Sequence, residues 1–377
     1  MDEDIELFKD MTNKILETEV APYYEQWEKN CILPRSLWNT LGEAGLLGVD
    51  VPEEYGGIGS TMDVSQMILR ETARNCFGGL ATGMNIHSNI VIPYIVNIGS
   101  EEQKNQWLPK LVTGEAVGAI AMTEPHTGSD LANIKTRAVM DGNEWVLNGS
   151  KIFITNGIHS DLVIVTAKTN PEAGAKGISL FLVDTKLQGF AKGKQLEKIG
   201  QHTSDTSELF FEDVRMPASA LLGDENHGFF YLMQELPRER LGCSSQAMGA
   251  CLGAIEMATE YVLERKAFGK RIADFQNTRF KLAEMKAQYE VCYAYYEKCI
   301  EKYKNKEMTV EDGALVKLTT TEAENYISNG CLQMFGGYGY SSEYPISRFF
   351  VDARIQTIYA GTSEIMKEII SRGILGR

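Results

Sequence analysis

The sequence predicts a mainly α-helical protein with an antiparallel β-domain inserted in its middle. Three observations lead there. Residues 1 to about 118 space their apolar side chains by three and four, the helix period. Residues 119–222 change to β-branched and aromatic runs split by Gly, Asn and Asp. From 223 to 377 the helix period returns, and its spacing fits a four-helix bundle. These shifts divide the chain into domains 1–118, 119–222 and 223–377.

In the first zone, Leu37, Leu41 and Ala44 share a helix face that stops at Gly45. Pro52 and the GGIGS stretch at 56–60 make a loop, after which Thr61 or Asp63 can cap VSQMILRETARN. A helix ending at Ile98 stops at Gly99, and Ser100 with Gln103 opens the next with a capping box. In the second zone, WVLNGSKIFIT, DLVIVTAKT, GISLFLVDT and ELFFEDVRMP read as strands, with turns at Asp141-Gly142-Asn143 and Asn148-Gly149. In the third, Leu282, Met285, Tyr289, Cys292, Tyr296, Cys299 and Tyr303 form one stripe of a long amphipathic helix. Residues 242–258 are rich in small side chains, among them Gly242, Gly249, Gly253 and Ala258. That composition lets helix backbones approach closely, or lets a helix border a flat ligand.

The chain carries a formal charge of −14, which repels phosphate backbones, so no nucleic-acid partner is expected. With 44% hydrophobic and 23% charged residues it builds full cores rather than disorder. No run of about 18 apolar residues occurs, so no membrane insertion is expected. The acidic N-terminus, MDEDIELFKD, has no apolar stretch and reads as neither signal nor transit peptide. Seven cysteines without a CxxC pair read as reduced thiols in a cytoplasmic protein.

Several chemistries lack their motifs. Without GxGxxG or GxxxxGK[ST], a nucleotide cofactor is not held by a Rossmann or P-loop mechanism. HExxH is absent and the five histidines are scattered, so no metal is expected. No GxSxG elbow marks a nucleophile.

Other stretches carry content, each beside a plain structural reading. AMTEPHTGSD (121–130) is a loop whose amides can meet a heterocycle edge or a phosphate, or an ordinary domain-junction turn. NGSKIFITNG (148–157) puts Phe153 and Thr155 on one strand face, a ring and a hydroxyl that suit a flavin or a plain hairpin. In ELPRERLG (235–242), Pro237 kinks a helix or lies near its start, and the adjacent Glu239 and Arg240 point about 100° apart. LERKAFGKRIADFQ (263–276) ends a helix at Gly269 and carries Arg265, Lys266, Lys270 and Arg271, which complement the helix dipole or bind a pyrophosphate. QMFGGYGY (333–340) is Gly-rich and aromatic, and in YAGTSEIMKEII (359–370) Thr362 can cap a helix aimed at an anion.

In this order the stretches resemble the acyl-CoA dehydrogenase family, from LGEAGLLGVDVPEEYGG (41–57) to YAGTSEIMKEIISR (359–372). MTEPHTGSD is similar to the family signature MTEPxxGSD, and ERKAFGK, QMFGGYGY and GTSEI are similar to other family motifs. The resemblance implies an N-terminal helical domain, a middle β-domain and a C-terminal four-helix bundle. It further implies a homotetramer with FAD held across a subunit interface. Met122, Thr123, Gly128 and Ser129 would contact the flavin or the start of the CoA arm. Phe153, Ile154 and Thr155 would flank the ring, with Phe153 standing where many relatives have Trp. Arg265, Phe268, Gln276, Gln333, Gly336 and Gly337 would bind the adenylate end, partly from a neighbouring subunit, and Thr362 and Glu364 would complete the site. Residues 81–95, with His87 among them, would line the end of the acyl pocket.

Position 360 separates subclasses. Many relatives carry the catalytic Glu there, in YEGT, whereas this chain has Ala360. In long-chain and isovaleryl members the base lies in an ER pair on a bundle helix, and MQELPRERLG fits that pattern with Glu239. The acyl-CoA would meet Ser129, Arg240, Tyr359, Ala360 and Gly361, and the Ala360 N–H would join the ribityl 2′-hydroxyl on the thioester carbonyl. The implied reaction converts a long-chain or branched acyl-CoA to the trans-2-enoyl-CoA and passes electrons to an electron-transferring flavoprotein. The implied compartment is the cytoplasm, or the mitochondrial matrix if a transit peptide is removed. The same fold serves acyl-CoA oxidases and flavin monooxygenases, and a helical scaffold without FAD is the non-enzymatic alternative.

Overall fold

The computed structural model describes residues 2–376. The N-terminal region folds into α1 (Asp2–Ile15), α2 (Tyr24–Asn30), α3 (Arg35–Glu43), α4 (Met62–Arg74), α5 (Gly78–Met84), α6 (Ile92–Ile98) and α7 (Glu101–Val112). Leu37, Trp38 and Leu41 bury one face of α3, which ends at Ala44 before Gly45 turns at φ 67°. Thr61 takes the N-cap position of α4 without its hydroxyl accepting the cap bond. The Ser100–Gln103 capping box forms as expected and starts α7. Between α5 and α6, Asn85–Val91 continues the helix in the wider π form. Pro93 follows, and the widened turn absorbs its missing N–H.

The middle region contributes β1 (Gly118–Ala121), β2 (Arg137–Asp141), β3 (Glu144–Thr155), β4 (Leu162–Lys168), β5 (Ile178–Asp184), β6 (Phe190–Gln195), β7 (Thr206–Pro217) and β8 (Leu221–Leu222). They form one sheet in the order β6-β7-β3-β2-β4-β5-β8, with β1 added on β4. The expected antiparallel pairs are there, but the sheet is mixed. β1 runs parallel to β4, and β2 meets β4 in parallel at Arg137 and Lys168. A parallel pair needs a long crossover, and residues 122–161 supply it. Gly142-Asn143 turns the β2–β3 hairpin. Asn148-Gly149, expected as a turn, is instead a bulge inside β3, where the register with β7 shifts and Gly149 takes φ 151°.

The C-terminal region holds α8 (Gly228–Glu264), the short hairpin of β9 (Lys266–Ala267) and β10 (Lys270–Arg271), α9 (Gln276–Lys304), α10 (Val310–Phe335), α11 (Ile346–Gln356) and α12 (Ser363–Leu375). Two expectations change. The helix before Gly269 already ends at Glu264, and Phe268 and Gly269 turn the hairpin with φ 50° and 79°. Pro237 lies inside α8, which begins at Gly228. The stripe on α9 is buried at Met285, Tyr289, Cys292, Tyr296 and Cys299. It packs with Cys251 and Ala254 of α8 and Ile327 and Cys331 of α10 into one apolar core. The small residues serve close helix approach: a Cβ at Gly249 or Gly253 would overlap the Arg70 or Arg74 carbonyl oxygen of α4. All seven cysteines are unpaired. No helix is long and apolar enough to cross a membrane, and the described residues hold no metal-ligating cluster.

Candidate active site

The loop after β1 is tied to β3 by a buried ion pair. The Lys151 amine donates to Glu124 at 2.9 Å, to the Met122 carbonyl oxygen at 3.0 Å and to the Thr166 hydroxyl at 3.0 Å. Glu124 also accepts the N–H groups of Lys135 and Thr136, at 2.6 and 2.9 Å. Burial raises the Glu124 carboxyl, but Lys151 and these donors outweigh it and leave the group lowered. Burial holds the Lys151 amine down at about 8. The Ile152 N–H donates to the Thr123 carbonyl oxygen at 3.0 Å. Met122 and Thr123 therefore stand beside Phe153–Thr155. Phe153 is 64% exposed and takes φ 61°. Thr155 is half-buried, and Gly128 and Ser129 are exposed. As the alternation of Phe153 and Thr155 implies, the Ile154 side chain faces the β-domain core, which leaves its backbone to flank a ligand.

Glu239 lies on α8 and is 2% exposed. The Tyr94 hydroxyl of α6 donates to its Oε1 at 2.9 Å. Burial raises the Glu239 carboxyl to about 7, opposed by the Tyr94 hydrogen bond and the Arg240 charge and reinforced by Glu235. Glu235 accepts a hydrogen bond from Asn97 at 3.0 Å. Arg240 is buried, and its Nε and Nη1 have no partner among the described residues. Pro237 between these carboxylates removes an N–H and leaves the local carbonyl ladder incomplete.

The segment between α11 and α12 approaches α8 at Arg240. Ala360 takes φ 51° and Gly361 φ 93°. A left-handed Ala is uncommon and strained, and such residues cluster at functional sites. No described residue accepts the Ala360 N–H. The Lys317 amine of α10 donates to the Gly361 carbonyl oxygen at 2.8 Å. The Tyr359 hydroxyl donates to Gln356 at 2.8 Å. Thr362 caps α12 by accepting the Ile365 N–H at 3.3 Å, and Glu364 is exposed in its first turn. A Cβ at Gly361 would stand 4.0 Å from Arg240 Nη2, so this segment and α8 meet at Arg240.

The remaining expected residues gather elsewhere. The Arg265 guanidinium stacks over Tyr338, 5.5 Å from the ring centroid, and joins the end of α8 to the Gly336-Gly337 turn. Phe268 is 95% exposed, edge-on to Phe275. Gln276 and Gln333 are exposed, at the start of α9 and near the end of α10. No hydrogen bond or ring contact among the described residues links this group to Phe153 or Glu239. The residues fit FAD on two counts. A Cβ at Gly128, Gly336 or Gly337 would meet nothing within 4 Å, which leaves room for a ligand. Phe153 and Phe268 present largely exposed apolar rings.

Comparison with known proteins places this arrangement. Residues 2–115 match the model "Acyl-CoA dehydrogenase, N-terminal domain", residues 119–214 the middle-domain model and residues 226–375 the C-terminal-domain model. The chain belongs to the acyl-CoA dehydrogenase family. It is 48% identical over 373 residues to the rat mitochondrial long-chain specific acyl-CoA dehydrogenase, covering 98% of this chain and 86% of that one. The crystal structure of acyl-CoA dehydrogenase from Geobacillus kaustophilus superposes with a TM-score of 0.96 at 43% identity, covering 99% and 98% of the two chains. A glutaryl-CoA dehydrogenase from Mycobacterium smegmatis, solved in complex with FADH2, superposes at 0.93 with 31% identity and coverage of 100% and 96%. The family is one of oxidoreductases that dehydrogenate acyl-CoA.

Within this acyl-CoA dehydrogenase, four residues around the site were not singled out from the sequence: Tyr94, Glu124, Lys151 and Lys317. Glu124 and Lys151 lie inside motifs, and Lys151 sits among strand apolars, where a buried charge demands a partner. Tyr94 falls in the 81–95 stretch expected at the end of the acyl pocket but was not named there, and Lys317 sits in a helix with no local signal. His87 does not line an open pocket. It is fully buried, with Nδ1 accepting the Gly118 N–H at 3.0 Å and Nε2 on the Leu111 carbonyl oxygen at 2.9 Å. Burial lowers it to about 4, so it stays neutral and ties α7 to β1.

Proposed function

We propose that this chain is an FAD-dependent dehydrogenase of long-chain or branched acyl-CoA, with Glu239 as the base that removes the α-proton. One observation carries the reading: a buried carboxylate at about 7 lies on α8 next to Arg240, whose guanidinium reaches the strained Ala360-Gly361 segment, where Ala replaces the usual acid. A base near 7 is ionised in useful amount at neutral pH and still holds a proton well once it has taken one.

The thioester carbonyl needs a donor while negative charge develops on it. The Ala360 N–H is such a donor, and no side chain at 360 is required to provide it. One donor of this kind is worth about 3–4 kcal/mol. Lys317 holds the segment from its Gly361 carbonyl side, and the Arg240 guanidinium approaches Gly361 from α8. FAD, when bound, supplies the acceptor for the hydride that leaves the β-carbon. Met122, Thr123, Gly128, Ser129, Phe153 and Thr155 would hold its ring end. Arg265, Phe268, Gln276, Gln333, Gly336 and Gly337 would serve the adenylate end of a neighbouring copy, which accounts for their distance from the rest of the site in contact terms. That arrangement requires an oligomer, a homotetramer in this reading, and an electron-transferring flavoprotein as the acceptor of the electrons. The 48% identity to a long-chain enzyme supports the substrate class.

The test is Glu239→Gln. It keeps flavin and acyl-CoA binding and loses at least about 100-fold in turnover. Near-normal turnover of a long-chain acyl-CoA by this variant rejects the assignment.

A further inference from the structure

Glu239 is surrounded unequally. Glu235, Arg240 and Cys243 face it along α8, and among the described residues the one polar group that hydrogen-bonds its carboxylate from another element is the Tyr94 hydroxyl of α6. Lys317 of α10 faces Arg240 and Cys243 instead. Tyr94 is fully buried and its phenol is pushed far up by burial and by Glu239, so it stays a donor. A hydroxyl placed at 2.9 Å on Oε1 does two things. It selects one orientation of a side chain that has no other polar tether, and it stabilises the ionised form against burial. α6 makes this contact directly after the π-form turn at Asn85–Val91, with Pro93 in its first turn.

We propose that Tyr94 is the positioning residue of the catalytic base, aiming Glu239 and holding it ionised by a hydrogen bond across the α6–α8 contact. This rests on the assignment of Glu239 as base. The carboxylate accepts the substrate α-proton on one oxygen while the other keeps the Tyr94 hydrogen bond.

Tyr94→Phe removes the hydroxyl and little else. The sign follows from the donor's preference for the carboxylate. Without it Glu239 protonates more readily, so the acidic limb of kcat/KM moves to higher pH, by about one unit. At pH 6 the variant then falls about 10-fold below the parent. At pH 9, where Glu239 is ionised in both, the gap narrows. Holoenzyme of the parent, Tyr94→Phe and Glu239→Gln is assayed from pH 5.5 to 9.5 with one long-chain acyl-CoA, with bound-flavin absorbance confirming assembly. A limb that moves up supports the proposal. An unmoved limb in Tyr94→Phe, with turnover lost in Glu239→Gln, overturns the role of Tyr94 alone. Full turnover in Glu239→Gln overturns the base and the proposal with it.

Discussion

The Lys317 amine reaches from α10 to the Gly361 carbonyl oxygen at 2.8 Å, and this hydrogen bond ties the bundle to the backbone of the segment that carries Ala360. Burial lowers the amine to about 8, so it gives up solvation to make the contact. A side chain buried this deeply and donating to backbone acts as a brace for the direction of the neighbouring Ala360 N–H.

Lys317→Met keeps the volume and removes the donor. The expected result is a kcat lower by roughly 10- to 100-fold, the scale of a small misplacement of a catalytic donor. KM and flavin content change little. A variant with unchanged kcat would show that the segment holds its shape unaided.

The Glu124–Lys151 pair makes a second prediction, about assembly rather than chemistry. Lys151→Met leaves Glu124 buried with only two backbone donors, and breaking one side of a buried pair costs about 3–5 kcal/mol. The loop holding Met122 and Thr123 loses its tether to β3. The flavin-to-protein ratio of the purified variant should drop, and its melting temperature with it. Adding Glu124→Gln should recover part of the melting temperature, because a neutral amide is cheaper to bury than an unpaired carboxylate.

Glu324 predicts a pH dependence of stability. It is 2% exposed, its Oε2 has no partner among the described residues, and burial with the neighbouring Asp352 raises it to about 8 from an ordinary value of 4.5. It lines a cavity just large enough for one water, together with Asp352, Gln246 and Gln356. The folded protein keeps the proton that the unfolded chain gives up. Its contribution is therefore complete below pH 4.5 and is lost as pH rises through about 8. Glu324→Gln removes this dependence, and thermal melts at pH 9 should show a gain on the order of 2–5 °C that vanishes near pH 5.

Gly249 offers a steric test. Gly249→Ala places a methyl group against the Arg70 carbonyl oxygen, so α4 and α8 must separate. Destabilisation of about 1–3 kcal/mol is expected, measured by urea unfolding. Ala is the better helix former, so a stabilised variant would show that the two helices have room to spare.

Much of this protein is readable locally. Period, caps and turn residues determine the helical–β–helical order, the Ser100 capping box, the Gly142-Asn143 hairpin and the buried stripe of α9, because each depends on residues a few positions apart. The proposed roles of Glu239 and Ala360 come instead from the resemblance of the motif stretches and the ER pair to the family. What lies between elements was decided by packing. Asn148-Gly149 reads as a turn until β7 pairs across it and makes it a bulge. Small residues at 242–258 suit either a ligand or a neighbouring helix until α4 arrives against Gly249. Tyr94 and Glu239 are separated by 145 positions, as the hydrogen bond between them records, and no periodicity spans that interval. The partners of a buried charge are chosen by whichever surfaces meet in three dimensions, and one chain position carries no trace of that choice.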